Sequence, residues 1–252
     1  LFRPTDLWTA LNPLDLDQTQ KRGVDAARAV TSLTDSVELE VLVVDRNKLD
    51  HLSGGLRATF YLDTMDAWFG LARNFDQLLA VGGAAAEVGA FKLRAEGSVG
   101  YDEETEELAG PRVTLGADWF HPSWMVAVEL HHSAAGTADS RDYATFMQTD
   151  RRVRRGEVMF AGQWYAGAVV SYKPTELVSL GLTNMTNLQD PSALLGLSVQ
   201  LDLPQSAQLG LGSMLTVGER PEAASLLTSP PDLGSEFGAY GQLFYLQMTM
   251  FL

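Results

Sequence analysis

Lys92, Arg94 and Glu96 alternate with Phe91, Leu93 and Ala95, so ionisable side chains stand on every second residue. The same placing recurs at Glu38 and Glu40, Arg57, Arg112 and Asp118, Glu129 and His131, Lys173, and Asp202. Acids and bases together at this spacing can pair with one another, or bind ionic and polar solutes transiently. Two readings follow. A polar channel lined this way would select solutes by charge. A closed interior would use the same residues as cross-braces. Lys92, Arg94 and Arg112 fall on neighbouring predicted strands and would offer an anionic solute a local track.

Arg151, Arg152, Arg154 and Arg155 form a second constellation, RRVRR, in the longest predicted loop. Arginine forks there would grip lipopolysaccharide phosphates, or pair with interior carboxylates if the loop folds inward. A solvated loop is the third possibility. His131 and His132 are adjacent, and adjacent strand residues face opposite ways, so the pair is not a metal site. No nucleophile elbow, phosphate-binding glycine loop or H-E-x-x-H helix occurs. No catalytic residue, metal ligand or cofactor is expected. A hydrolase at the lipid-facing rim is the remaining enzymatic alternative, and His132 with Ser133 does not supply its Ser–His geometry.

The elements that carry these residues read as strands throughout. In SALLGLSVQLDLP, Ala193, Leu195, Leu197, Val199, Leu201 and Leu203 form one face, against Ser192, Gly196, Ser198, Gln200 and Asp202 on the other, with Leu194 the one exception there. Period two bounded by turn residues is a strand signature. About thirteen such segments are predicted, near the length a tilted membrane strand needs. They span 23–33, 36–45, 54–63, 65–74, 77–88, 90–102, 111–121, 123–134, 159–173, 177–187, 192–203, 206–219 and 236–252. QLLAVGGAAAEV, 77–88, is too rich in small residues to fix its own facing. Tight connections at 33–36, 62–66, 121–123, 172–176 and 203–206 alternate with longer ones at 45–53, 102–110, 135–158, 188–192 and 219–235. Short turns on one side and long loops on the other characterise outer-membrane barrels.

Composition narrows the class. The 252 residues carry a net charge of −14, which argues against a nucleic-acid partner. There is no cysteine, hence no disulfide framework. No run of 18 or more apolar residues is present, so no transmembrane helix is expected. A mean hydropathy of −0.03 suits a soluble protein and a membrane barrel alike, because alternate barrel residues face a polar lumen. The last segment, EFGAYGQLFYLQMTMFL, ends the chain inside an amphipathic strand. That resembles the C-terminal signal read by the outer-membrane barrel assembly machinery, with Leu252 where a terminal Phe is usual.

FRPTDLWTALNPLDLDQTQKRGVDAAR resembles a segment of poorly characterised porin-like outer-membrane proteins of Gram-negative bacteria. Their pattern, F-x-P-T-D-L, then N-P-x-D, then G-V-D-A-x-R, is met by Phe2, Pro4, Thr5, Asp6, Leu7, Asn12, Pro13, Asp15, Gly23, Val24, Asp25, Ala26 and Arg28. The resemblance implies localisation in an outer membrane more than a substrate. Prolines and Asp/Asn residues make residues 1–22 a loop, either extracellular or folded into the lumen, with Asp6, Asp15 and Asp17 as candidate constriction residues.

The expected fold is all-β, a transmembrane antiparallel up-and-down β-barrel over 23–252, with the apolar face toward lipid because backbone groups in hydrocarbon must all be paired. Trp119, Trp124, Phe160, Tyr172 and Tyr240 are expected as interfacial aromatic girdles. An odd strand count predicts the C-terminal part of a longer barrel. The expected role is passive passage or export of polar solutes, with lipid, lipopolysaccharide and the assembly machinery as partners. The alternative is a closed docking barrel serving a surface-assembly or polysaccharide-export system.

Overall fold

The computed structural model describes residues 2, 5, 7, 25–45, 53–203, 206–221 and 231–250. Asp6, Asp15, Asp17, most of the 1–22 segment and Leu252 lie outside the described residues.

Thirteen strands form one sheet in which each pairs antiparallel with its neighbours in sequence. They are β1 Ala26–Thr34, β2 Val37–Val44, β3 Ser53–Tyr61, β4 Met65–Asn74, β5 Gln77–Val88, β6 Phe91–Asp102 and β7 Glu107–His121. The rest are β8 Trp124–Ser133, β9 Trp164–Thr175, β10 Val178–Asn187, β11 Ser192–Leu203, β12 Ala207–Val217 and β13 Leu243–Met250. β1 and β13 are the two edges, and they do not pair with each other among the described residues. The predicted all-β, up-and-down architecture is the one observed.

Register carries one polar face across the whole sheet. Glu40 opposes Arg57, Lys92 opposes Asp118, Thr114 opposes His131, and Ser198 opposes Gly181. The other face is apolar and exposed, with Leu71, Leu115, Leu211 and Phe244 each more than half accessible. β5 acquires its facing from its neighbours. Val81 opposes Ser98 and Gly70, so Val81 and Leu79 turn to the polar face, where they are buried. Gly83 on that face lies under Trp68, and a Cβ there would sit 2.9 Å from the indole Nε1.

Three boundaries differ by four residues or more from the predicted ones. β7 begins at Glu107, not 111, because a bulge beside Gly100 and a left-handed Gly110 (φ 71°) let the strand run on. β9 begins at Trp164, not 159. β13 begins at Leu243, not 236, with a short 3-10 turn at Phe237–Ala239 in place of its predicted first residues. The loop between β8 and β9 holds two short helices, α1 Tyr143–Thr149 and α2 Arg151–Arg154. Asp150 starts α2 by accepting the Arg152 N–H at 2.7 Å.

The two largest connections, 134–163 and 218–242, lie at the same end of the sheet, as predicted. The β4–β5 and β6–β7 connections at that end are short, 75–76 and 103–106. At the opposite end the β5–β6 turn needs Gly89 in a left-handed conformation (φ 63°). The main apolar cluster sits on the polar face, not the apolar one. Phe2, Tyr165, Met185, Leu194 and Phe237 are buried together, with Phe160 and Met214 packed against them.

Candidate functional site

The polar face of β1–β3 carries Glu40 between two guanidinium groups, Arg28 Nε at 2.6 Å and Arg57 Nη2 at 2.5 Å. Arg57 also stands 5.9 Å over the Trp68 ring. Beside them is a cavity of about 110 Å³, lined by Thr5, Leu7, Glu40, Arg57, Trp68 and Val81 among others. Small residues on β3 and β4 (Gly55, Gly70, Ala72) leave this space open.

A second cluster spans β6–β8. Arg94 donates to both oxygens of Asp118, at 2.7 and 2.8 Å, and to Glu129 Oε1 at 3.0 Å. Such a fork fixes three side chains relative to one another. Glu129 also accepts the Phe2 N–H at 2.9 Å. Glu96 accepts from Thr5 Oγ1 at 2.7 Å, and Asn74 Nδ2 donates to the Leu7 carbonyl at 3.3 Å. His131 shares a 2.8 Å hydrogen bond with Thr114 and stacks on Phe2, centroids 4.8 Å apart. All three described residues of the N-terminal segment therefore contact the polar face.

The long loops close over one end of this face. Arg151 pairs with Asp102 and Glu104, and Arg155 with Asp76 at 2.7 Å while covering the Phe75 ring at 4.7 Å. Arg152 bonds Asp150 at 2.7 Å and the Ala135 carbonyl at 3.1 Å. Arg154 is exposed. Arg112 donates to the Glu157 carbonyl at 3.2 Å. Burial pushes Asp150 upward, but the Arg152 guanidinium and N–H more than offset it and hold the carboxyl below its ordinary value. Burial raises Glu157 despite nearby arginines.

Glu236 joins the two loops to the sheet. Its Oε1 accepts the Ala161 N–H at 2.6 Å, and its Oε2 accepts from Tyr165 Oη at 2.6 Å and Asn187 Nδ2 at 2.7 Å. Its own N–H donates to Asp190 Oδ2 at 2.6 Å. Asn187 donates also to Tyr143 Oη at 3.0 Å. Burial pushes the Glu236 carboxyl above its usual range, against the three donors that favour the anion. Burial likewise lifts the Tyr143 phenol to about 12.

The predicted polar-face residues Glu38, Glu40, Arg57, Lys92, Arg94, Glu96, Arg112, Asp118, Glu129, His131, Lys173 and Asp202 all share one face by register. Two groups form: Glu40 with Arg57, and Arg94 with Asp118 and Glu129. Lys173 and Asp202 lie at the short-turn end, apart from both, where Asp202 accepts from Gln208 Nε2 at 2.7 Å. His132 faces outward and packs on Trp164 at 4.3 Å.

Of the expected aromatic girdle, Trp119, Trp124 and Tyr172 lie on the apolar face near the short-turn end, with Trp124 and Tyr172 stacked at 4.1 Å. Phe160 does not belong to it. It precedes β9 and packs 5.2 Å from Tyr165 and 5.9 Å from Phe2, because the chain turns inward before the strand starts. Tyr240 also lies off the strands, after the 3-10 turn, 6.3 Å from Phe237, and its carbonyl accepts from Thr216 at 2.9 Å.

Sequence reading missed Arg28, whose parity places it opposite Leu42 on the polar face. It missed Tyr165 and Asn187 as loop anchors, although both fall on the polar parity of their strands. No local signal marked Glu236, Asp76 or Tyr143, because their partners are remote in sequence.

No protein-family model matches this sequence, and no curated protein matches it. Three crystal structures of porin barrels from Pseudomonas aeruginosa are similar in fold. OpdO superposes with a TM-score of 0.54 at 10% identity, over 83% of this chain and 68% of that one. OccK10 (OpdN) gives 0.52 at 10% identity, over 77% and 68%, and OccK5 (OpdH) gives 0.53 at 7%, over 78% and 66%. The thirteen-stranded meander is thus similar to about two thirds of the length of known porin barrels, and the chain shares their fold.

Proposed function

We propose that this protein is a porin-like channel of a Gram-negative outer membrane, passing polar solutes passively in uptake or export. One observation carries the reading: on a porin-barrel fold, charged and hydrogen-bonding side chains are concentrated on one face while an exposed, mainly apolar surface covers the other. An apolar surface of that extent calls for lipid or a partner, and the charged face suits a water-filled path. The reading is not enzymatic. Contacts of Phe2, Thr5 and Leu7 with the polar face support a lumen-folded course for the N-terminal segment. Arg28, Arg57 and Lys92, opposed by Glu38, Glu40 and Glu96, would set ion preference. The resemblance to the porin-like family supports delivery by the barrel assembly machinery and contact with lipopolysaccharide.

A second reading, a closed docking barrel, is favoured by the interior cluster of Phe2, Tyr165, Met185, Leu194 and Phe237. Single-channel recording of the full-length protein in a planar bilayer separates the two. Stable conductance steps are expected, with Arg57→Gln moving selectivity toward cations. An inserted barrel that stays silent would overturn the channel and favour the docking role.

A further inference from the structure

The apolar face has one misfit. Asn184 projects from it, opposite Ala168 on β9 and Leu195 on β11. Away from the strand ends, it is the only amide on that face among the described strands, and no Asp, Glu, Lys, Arg or His shares its position. Arg73, His121 and His132 share the face but sit in the last two positions of their strands.

Its depth is fixed by its neighbour. The outward residues of β9 run Trp164, Ala166, Ala168, Val170, Tyr172, so Ala168 stands midway between two aromatic ends. Eight residues separate those ends, roughly 26 Å of strand at ~3.3 Å per residue. Aromatic residues at both ends mark membrane interfaces. Asn184 is therefore level with the middle of the hydrocarbon, out of reach of lipid head groups. Its Oδ1 accepts from Thr186 Oγ1 at 3.1 Å, whereas its Nδ2 donates to nothing among the described residues. Polar groups so placed are unfavourable in lipid unless something pairs with them.

We propose that two copies of this protein associate in the membrane through the outward face of β9–β11, with the Asn184 amides bonded to each other across a two-fold axis. An amide is its own complement: the Nδ2 of each copy donates to the Oδ1 of the other. A second copy also brings that group to the required depth automatically, which a foreign partner must do by design. Ala166 and Ala168 on β9 and Ala193 on β11 flank Asn184 and Thr186 with small side chains that let a partner sheet approach, while Leu195 and Leu182 border them with apolar contact surface. The contact is isologous and closes at two. The inference rests on the membrane placement proposed above.

The sequence has no cysteine, so Asn184→Cys is a unique thiol. The full chain is expressed in a Gram-negative host and isolated outer membranes are treated with copper phenanthroline. A disulfide-linked dimer is expected for Asn184→Cys and for the adjacent Ala193→Cys, severalfold above Leu115→Cys on the outward face of β7. Wild-type dimer on native gels is expected to be lost in Asn184→Leu. Monomeric Asn184→Cys and Ala193→Cys in barrels that remain heat-modifiable and membrane-inserted would overturn the proposal, as would equal cross-linking at Leu115→Cys. Wild-type protein that never enters the outer membrane would instead sink the membrane reading, and the dimer with it.

Discussion

Replacing Glu236 by alanine removes the node that ties both long loops to the sheet. Three hydrogen bonds, at 2.6, 2.6 and 2.7 Å, end on its carboxyl group. The donors are not stripped equally. Tyr165 Oη still accepts from the Gly162 N–H at 2.6 Å, and Asn187 keeps its bond to Tyr143. Ala161 N–H loses this acceptor outright. Three bonds at about 1–1.5 kcal/mol each give a loss of roughly 3–5 kcal/mol in loop docking, with entering water holding it to that range. Local opening governs amide exchange, and 1.4 kcal/mol is a tenfold change, so 134–163 and 231–242 should exchange about a hundredfold faster or more. Hydrogen exchange by mass spectrometry reads this directly, with peptides from β10 and β11 as the internal reference. Exchange in both loops within about threefold of wild type would refute the role given to Glu236.

Further expectations follow from the same structure. Glu236 titrates above its ordinary value when docked, so the docked loops bind a proton more readily than undocked ones. Docking should then be firmest below the usual carboxylate range and weaken as pH rises through the raised value. Asp190, Tyr143 and Tyr165 face the group with no cation beside it among the described residues, and Glu236→Gln should flatten the slope in exchange rates in 231–242, with a smaller change in 134–163, where Glu157 and Asp150 also titrate away from their ordinary values. Arg94→Met leaves Asp118 and Glu129, with side chains 12% and 4% exposed, without their shared guanidinium. Removing one partner of a buried ionic cluster costs about 3–5 kcal/mol, visible as a lower urea midpoint; an unchanged midpoint would mean water already solvates the cluster. Arg151→Gln with Arg155→Gln should loosen the 134–163 loop to protease, and salt should do the same to wild type. The effect is smaller, on the order of 1 kcal/mol per pair, because Glu104 is largely exposed. Protease resistance that ignores both salt and substitution would show that the helices, not the ion pairs, hold the loop.

Strand number, strand order and the division into polar and apolar faces were legible in the sequence. Alternation is a local property, and a two-residue period forces facing once one neighbour is known. That is why Lys92, Arg94, Glu96, Asp118 and Glu129 could be put on one face unaided. Where alternation failed, so did the reading. β5 is mostly Ala, Gly and Leu, and only its pairing with β4 and β6 turned Leu79 and Val81 inward. Phe160 and Tyr240 continued the aromatic pattern of their strands, yet the chain leaves the sheet at both places, and inward packing decided their position. Glu236 and Tyr165 are 71 residues apart, and Arg151 and Asp102 are 49 apart. No local pattern records such pairs. They exist because antiparallel pairing brings the ends of β5, β6, β9 and β10 to the same end of the sheet, beneath loops long enough to fold back, and because buried polar groups there must find partners.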